Sequence, residues 1–179
     1  MTSIHWRQTG GIWPMGVSTS LTWYDVGALL TLIPSFGVRC VLEIGVEHGG
    51  LAALLLAYST HTGIVYRGID ISLASLAHTV RGQASIVERD AWAQATVDEV
   101  ARWLAEMPAP ALIICDGGDK PKELRLYAPL LRTGDIIVGH DYHNEYVDDA
   151  LTGLPADLVR IRADWLDDTL LCAFLRGAL

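Results

Sequence analysis

The sequence predicts a doubly wound α/β fold with a mostly parallel, seven-stranded sheet and a C-terminal antiparallel hairpin. Short apolar runs typical of buried strands alternate with helix-like runs through most of the 179-residue chain. A glycine-rich turn joins the first strand to the helix after it, and the last two strand-like runs have only a short turn between them. Alternating β and α units imply a parallel sheet covered by helices on both faces.

Length and composition predict one compact domain over residues 1–179, with 1–36 as an N-terminal helical segment that packs on the sheet. Apolar residues make up 51% and charged residues 19% of the chain, which argues against disorder. No apolar run approaches the ~20 residues of a membrane span, and the N-terminus has no signal-peptide pattern, so we expect a cytoplasmic protein without a membrane partner. The net charge of −8 argues against nucleic acid as the main partner, because phosphate contacts need clusters of Lys and Arg.

Five short apolar runs are typical of buried parallel strands. In chain order they are CVLEIGV, GIVYRGIDIS, ASIVERD, PALIICDGG and DIIVGHDYH. The final segment, LVRIRADWLDDTLLCAFLRG, is predicted to form two strands joined by a short turn, with no helix between them. Strands connected in this way pair antiparallel, which accounts for the closing hairpin.

Five helices are predicted from helix-forming runs of suitable length. They lie in TSLTWYDVGALLTLIPSFG, GGLAALLLAYS, LASLAHTVRG, AQATVDEVARWLAEM and KPKELRLYAPLLRTG. Ser72 is a candidate N-cap for the third, while Pro121 suits the first turn of the fifth and Gly134 its C-terminal stop. One apolar face of the fourth helix contains Val97, Val100, Ala101 and Leu104.

Acidic residues mark the end of every predicted parallel strand. They are Glu43 and Glu47 around the first strand end, then Asp70, Asp90, Asp116 and Asp141 at the next four. In a doubly wound sheet, ligands bind beyond the carboxyl ends of the strands. Local roles are also open, because Asp70 and Asp90 could cap helices and Asp116 could hold an Asx-turn. Convergence at one sheet edge favours a shared ligand site, since structural caps have no reason to meet.

The glycine-rich turn GVEHGG follows the first strand. Gly45 and Gly49 could serve only to turn the chain and let the helix pack closely. A dinucleotide site would prefer G-x-G-x-x-G, but Glu47 stands at the second glycine position, where its charge would repel a pyrophosphate. A cofactor with a positive sulfonium and an amino-acid tail fits this turn better.

The next two strand ends complete a candidate nucleoside site. Asp70 is placed to accept hydrogen bonds from two ribose hydroxyls. Asp90, with Ala91 and Trp92 after it, could receive an adenine, because a carboxylate can accept from its amino group and an indole can cover its face.

With these motifs, the sequence from about Trp23 to Leu175 resembles the class I S-adenosylmethionine-dependent methyltransferases. VLEIGVEHGG is similar to their first motif, YRGIDIS to the second, ERDAW to the adenine-contacting third and LLRTGDIIVGHDY to the segment after the fourth helix. The likeness is greatest to small bacterial and phage members near the sugar and macrolide O-methyltransferases and the cephalosporin-hydroxylase-like proteins. The resemblance implies cofactor contacts at Glu43, Gly45, Glu47, Gly49, Asp70, Ile71, Asp90, Ala91 and Asp116.

This sequence departs from the family pattern in two places. Leu51 stands where a serine often follows the paired glycines and helps to hold the cofactor's tail. The chain is also short and has no sizeable lid before the hairpin. Recognition of a small-molecule substrate is therefore expected from the N-terminal segment, from the loop DYHNEYVDDALTGLP or from the second subunit of a homodimer.

The resemblance also raises the question of a divalent cation. Relatives that methylate vicinal hydroxyls bind Mg²⁺ through residues at the positions of Asp116 and Asp141. A softer site for Mn²⁺ or Zn²⁺ could add His140, His143 and Asp119. Without a metal, His140 or His143 could act as the general base. We take Lys120 to be a solvated charge at a helix start.

Three functions remain open from the sequence. The first is O-methylation of a hydroxyl on a sugar or small metabolite, favoured by the convergent strand-end acids. The second is an NAD-linked oxidoreductase, disfavoured by Glu47 and by the closing hairpin. The third is a non-catalytic protein that binds S-adenosylmethionine or has a structural role, suggested by the missing lid.

Overall fold

The computed structural model describes residues 11–12 and 16–177, and a seven-stranded sheet forms its centre. The strands are β1 (Cys40–Ile44), β2 (Val65–Asp70), β3 (Ile86–Glu88), β4 (Ala111–Cys115), β5 (Ile136–Gly139), β6 (Leu158–Arg160) and β7 (Cys172–Arg176). Their order across the sheet is β3-β2-β1-β4-β5-β7-β6. β1 to β5 pair in parallel, and β7 runs antiparallel to both β5 and β6. The predicted doubly wound fold and its antiparallel closing pair are confirmed.

Two apolar layers cover the sheet because alternate residues of the buried strands point to opposite faces. The helices are α1 (Trp23–Ser35), α2 (Gly50–Thr62), α3 (Gln94–Glu106), α4 (Lys120–Tyr127) and a one-turn α5 (Asp164–Asp167). On one face α1 and α2 pack against residues such as Val41 and Leu112. On the other face α3 and α4 pack against Leu42 and Ile113.

The N-terminal segment is only partly helical. Gly11–Ile12 and Ser18–Thr19 pair as a short antiparallel ribbon, and α1 follows with Thr22 as its N-cap. The predicted leading helix is therefore confirmed, while residues 1–10 and 13–15 of the predicted segment 1–36 lie outside the described part of the chain. None of the helices in the described residues has the length and apolar character to cross a membrane.

The predicted helix in LASLAHTVRG is wrong, because these residues form a series of turns. Leu76 and Val80 are buried against the glycine turn, where a Cβ on Gly49 would lie 2.6 Å from Val80 Cγ2 and 2.9 Å from Leu76 Cδ1. The Ala77 N–H donates to the carbonyl of His48 at 3.0 Å. The segment thus uses its apolar side chains and a backbone donor for contacts with the turn. No helix follows that Ser72 could cap.

Two further boundaries differ from the sequence prediction. Pro121 does lie in the first turn of α4, but this helix ends at Tyr127, and Pro129 lies in a 3₁₀ turn after it because proline has no N–H to continue the helix. Gly134 instead occupies the turn before β5, with φ +87°. The absence of a helix in the C-terminal segment was also wrongly predicted, since α5 lies between β6 and β7.

Candidate active site

One cavity of about 720 Å³ lies beyond the carboxyl ends of the parallel strands. Most of the predicted site residues line it, namely Glu43, Gly45, Glu47, Asp70, Ile71, Asp90, Ala91, Asp116, His140 and Asp141. Gly49 is not among the lining residues. It is the N-cap of α2, with a left-handed φ of +89°. The volume is within the range of small-molecule sites, so the strand-end acids do converge on a space that could hold a ligand.

Gly45 brings the glycine turn against the end of β4. It has φ +86°, and a Cβ at this position would lie 2.3 Å from the carbonyl oxygen of Asp116. Only glycine fits this approach and this backbone conformation. Glu47 follows with φ 52°, and its carboxylate accepts a hydrogen bond of 2.7 Å from the hydroxyl of Ser20. A negative charge therefore does lie in the cavity wall where a dinucleotide would place its pyrophosphate.

Asp70, at the end of β2, fixes the glycine turn from the other side. Its Oδ2 accepts hydrogen bonds of 2.8 Å from the backbone N–H groups of both Val46 and Glu47. Its Oδ1 accepts from the N–H of Ser72 at 3.0 Å. Asp70 therefore organises the turn and does not cap a helix. Carboxylate oxygens have further acceptor capacity, which remains available to a ligand in the cavity.

Glu43 is a buried carboxyl group in the cavity wall, with a relative exposure of 2%. Burial raises its pKa to about 8, against the opposing effect of a 2.5 Å hydrogen bond that Glu43 Oε2 accepts from the hydroxyl of Tyr66. At neutral pH this group therefore carries a proton, and a cation that entered the cavity beside it would ionise it.

At another part of the cavity, Trp92 lies among carboxyl groups. Asp90 Oδ1 accepts from the Trp92 N–H at 2.8 Å, so Asp90 holds a turn, and the N-cap of α3 is Ala93. The indole N–H of Trp92 points to Glu123 Oε1 at 3.4 Å, and the Gly117 N–H donates to Glu123 Oε2 at 3.1 Å. Burial raises the pKa of Glu123 to about 7.

His140 lies among three carboxylates and is 1% exposed. Its Nδ1 is 2.8 Å from Asp116 Oδ1 and 3.5 Å from Asp141 Oδ2, and its Nε2 is 3.5 Å from Asp25 Oδ2. Burial alone would lower the pKa of His140, but the hydrogen bond to Asp116 and the nearby carboxylates of Asp141 and Asp25 outweigh it and raise that pKa well above the usual range. Nε2 itself has no hydrogen-bond partner among the described residues. The raised pKa favours a protonated ring at neutral pH and so disfavours His140 as the general base, a role that stays a prediction.

Asp25 was not predicted as a site residue. It forms a capping box with Thr22 at the start of α1, and its Oδ1 accepts from the Leu170 N–H at 2.8 Å. Burial would raise its pKa, but the bonds from His140, Thr22 and Leu170 hold the pKa below its usual value. The T-x-x-D capping pattern was visible in the sequence, whereas the contact with His140 depends on the packing of α1 against the sheet.

Lys120 is not the solvated charge that the sequence predicted, because it is buried and lines the cavity. Its Nζ lies 2.9 Å from Asp141 Oδ2 and 2.9 Å from Glu145 Oε2. Burial opposes the charge, yet the bonds to these two carboxylates outweigh it and raise the pKa of Lys120 above its usual value. Contacts with His140 and Lys120 keep the pKa of Asp141 well below its ordinary range, although burial acts in the opposite direction.

The predicted metal site can be tested against this arrangement. Ligand atoms of Asp116, His140 and Asp141 lie within 4.8 Å of one another, so a shared ion is possible on distance alone. The Nδ1 of His140, however, already lies 2.8 Å from Asp116 Oδ1, and Asp141 already pairs with the ammonium of Lys120. As arranged, these residues do not fit a divalent cation.

The two remaining candidate residues lie away from this point. His143 is exposed outside the cavity wall, with its ring centroid 3.9 Å from that of Tyr142, so the structure does not bring this predicted base to the site. Asp119 is the N-cap of α4 and accepts from the Lys122 N–H at 2.9 Å. Both have local roles.

No protein-family model matches this sequence, and no curated protein matches it. Solved structures do match: an apo structure of CmcI gives a TM-score of 0.71 at 18% identity, covering 93% of this chain and 76% of that chain. A CmcI structure with Mg-SAM gives 0.55 at 19% identity, covering 72% and 56% respectively. The O-methyltransferase TomG from Streptomyces achromogenes, involved in tomaymycin synthesis and in complex with SAM, gives 0.54 at 15% identity, covering 88% and 82%. At these identities the likeness shows the fold, and the predicted methyltransferase-type fold is confirmed.

Proposed function

We propose that this chain is a class I S-adenosylmethionine-dependent methyltransferase that acts on a hydroxyl of a sugar or another small metabolite. The observation that carries the proposal is that one cavity collects Glu43, Asp70 and Asp90 around a glycine turn that itself contains Glu47. This set of acceptors suits a positively charged nucleoside and repels a pyrophosphate. Proteins of the same fold hold this cofactor, among them TomG and CmcI.

Each part of the cofactor has a candidate partner in the cavity. The protonated Glu43 would ionise against the ammonium of the methionine tail. Asp70 would accept from the ribose hydroxyls while it continues to hold the glycine turn. Asp90 and the indole of Trp92 would receive the adenine. When bound, S-adenosylmethionine supplies an electrophilic methyl group on a positive sulfonium, so little is asked of the side chains beyond alignment.

The remaining chemical task is to accept the proton of the acceptor hydroxyl. We assign it to Asp116, which lines the cavity and whose Oδ1 is bonded to the His140 ring at 2.8 Å. Burial raises the pKa of Asp116 above the usual aspartate value, which makes it a stronger base than an exposed carboxylate. His140 then acts as a positioning residue, because its fixed ring holds one oxygen of Asp116.

Calorimetric titration of the purified protein with S-adenosylmethionine and, separately, with NAD⁺ tests the proposal. We expect binding of S-adenosylmethionine and none of NAD⁺. Binding of NAD⁺ alone would overturn the assignment of the glycine turn. Binding of S-adenosylmethionine without a methylated product from a broad panel of sugars and small hydroxylated metabolites would favour the non-catalytic alternative.

The expected assembly belongs to the same proposal. A small-molecule acceptor is supported by the size of the cavity, about 720 Å³. A homodimer that completes acceptor recognition and a cytoplasmic location stay predictions. Sedimentation equilibrium of the full chain tests the first of these.

A further inference from the structure

A cluster of carboxylates includes the proposed proton acceptor. Four carboxylates meet at the ends of β4 and β5, and they belong to Asp25, Asp116, Asp141 and Glu145. The ammonium of Lys120 lies among them and pairs with Asp141 and Glu145.

Lys120 is built into this cluster by the fold. It is the first residue of α4, its side chain is 8% exposed, and its Nζ lies 2.9 Å from carboxylate oxygens of both Asp141 and Glu145. A side chain held by two ion pairs at this depth gives a fixed charge, unlike a mobile surface lysine. One of these two carboxylates, Asp141, is also a residue that a bound Mg²⁺ would need.

The donor geometry of an ammonium group suits a ligand here. An ammonium has three N–H donors, and Asp141 and Glu145 account for two of them. Lys120 lines the same cavity as Asp116, so the remaining donor is available to a molecule bound there. An oxygen that receives this N–H while it loses its own proton to Asp116 develops its negative charge beside a fixed positive one.

We propose that Lys120 takes the place of a divalent cation in this protein, so that its ammonium supplies the positive charge to the acceptor oxygen and no metal is bound at Asp116 and Asp141. This inference rests on the proposed function for its chemistry. Its structural part, the exclusion of a metal by an ammonium, can be tested without any acceptor.

The test is binding of Mn²⁺, followed by calorimetry and by the electron paramagnetic resonance of the free ion. The native protein and Lys120→Arg, which keeps the charge, should bind no Mn²⁺ at this cluster. Lys120→Met frees Asp141 and Glu145 and should bind one ion at least about tenfold more tightly than any weak binding elsewhere on the native protein, because one nearby positive charge is removed. Lys122→Met is the matched control, since it removes the only other lysine from the same helix and should bind none.

Two results would overturn the inference. One is binding of Mn²⁺ by the native protein that disappears in Asp141→Asn, a result that does not depend on whether Lys120→Met folds. The other is a folded Lys120→Met protein that binds no Mn²⁺, which would mean that the ammonium is not what excludes the ion. Titration of the same samples with S-adenosylmethionine separates these failures from failure of the proposed function, because loss of this inference leaves cofactor binding intact.

Discussion

Charged side chains beside the proposed proton acceptor form a continuous series of contacts in which carboxylates alternate with cations. The series contains Asp25, His140, Asp116, Asp141, Lys120 and Glu145. Contacts with carboxylates raise the pKa values of His140 and Lys120 above their usual values, which disfavours both as bases near neutral pH. A carboxylate is therefore the favoured base, and burial raises the pKa of Asp116 and makes it a stronger base than an exposed aspartate.

At Asp70 the proposal predicts a specific loss of affinity. Asp70→Ala should weaken binding of S-adenosylmethionine by about 30-fold or more, since two hydrogen bonds to the ribose are lost at about 1 kcal/mol each and the turn loses its acceptor. Calorimetric titration measures the change. Asp98→Ala removes an exposed carboxylate of α3 that bonds only Gln94 side-chain nitrogen, and it should leave the affinity unchanged. Equal affinities for native protein and Asp70→Ala would remove Asp70 from the ribose site.

Glu43 gives a second prediction at this scale, through the proton that it carries. With a pKa of about 8, Glu43 is mostly protonated at neutral pH, and an arriving ammonium should displace that proton. Binding of S-adenosylmethionine should thus release about 1 proton per protein molecule. Calorimetry in buffers of different ionisation enthalpy measures that number. Glu43→Gln should bind more weakly and release none.

Glu123→Gln is the matched control for this measurement, because Glu123 is the other buried glutamate with a raised pKa in the same cavity. It should retain the proton release of the native protein. If proton release vanished in Glu123→Gln and persisted in Glu43→Gln, the cofactor's ammonium would lie beside Glu123, and its assignment to Glu43 would be wrong.

At the scale of elements, the connection from β1 to α2 shows how far a local pattern can be trusted. The glycine turn, the strand before it and the helix after it could be predicted because Gly45 and Gly49 both need positive φ, which few other residues adopt. The helix predicted in LASLAHTVRG failed because Leu76 and Val80 bury themselves against Gly49. That contact joins segments distant in sequence, and local helix propensity carries no information about it.

A matched pair of glycines tests the role of this connection. Gly45→Ala should destabilise the protein markedly more than Gly63→Ala, and it should also abolish cofactor binding. Both glycines have positive φ, but a Cβ at Gly45 would lie 2.3 Å from the Asp116 carbonyl oxygen, whereas nothing lies within 4 Å at Gly63. Gly63→Ala should therefore cost only the backbone strain, about 1 kcal/mol. Urea denaturation measures both, and equal losses would show that the approach of the turn to β4 is not tight.

At the scale of the whole molecule, the sequence was sufficient for the sheet and for the acids at its edge, but not for the partners of those acids. The alternation of strands and helices fixed which ends of the strands meet, and so placed Asp70, Asp90 and Asp116 around one cavity. Asp25 and Glu123 were missed because each stands inside a helix, where an acid near the N-terminus is ordinarily explained by capping or by the helix dipole. The contact of Asp25 with His140 and the place of Glu123 in the cavity wall depend on how α1 and α4 pack against the sheet.

The folding stability of the molecule is expected to depend on pH through its buried titratable groups. Burial raises the pKa of Glu43 to about 8 and that of Glu123 to about 7, both from an ordinary value of 4.5. Between the ordinary pKa of 4.5 and these raised values, the folded protein binds more protons than the unfolded chain, so the free energy of unfolding falls as pH rises. His140 acts in the same direction, because its raised pKa gives a stabilisation that is complete below about pH 6.5 and is lost as pH rises toward the folded value. Asp25 and Asp141, with lowered pKa values, give a stabilisation that is lost only as pH falls below about 4.

These pKa shifts predict maximum stability at about pH 5. Above it, the free energy of unfolding should fall by about 1 kcal/mol or more per pH unit. Urea denaturation at a series of pH values measures the curve. Glu43→Gln removes one of the groups that must ionise, so its curve should be flatter, and the variant should gain stability relative to native protein as pH rises. If the free energy of unfolding of the native protein stayed level from about pH 5 to pH 8, Glu43 would not be protonated in the folded state. The proposed exchange of its proton for the cofactor's ammonium would then be contradicted as well.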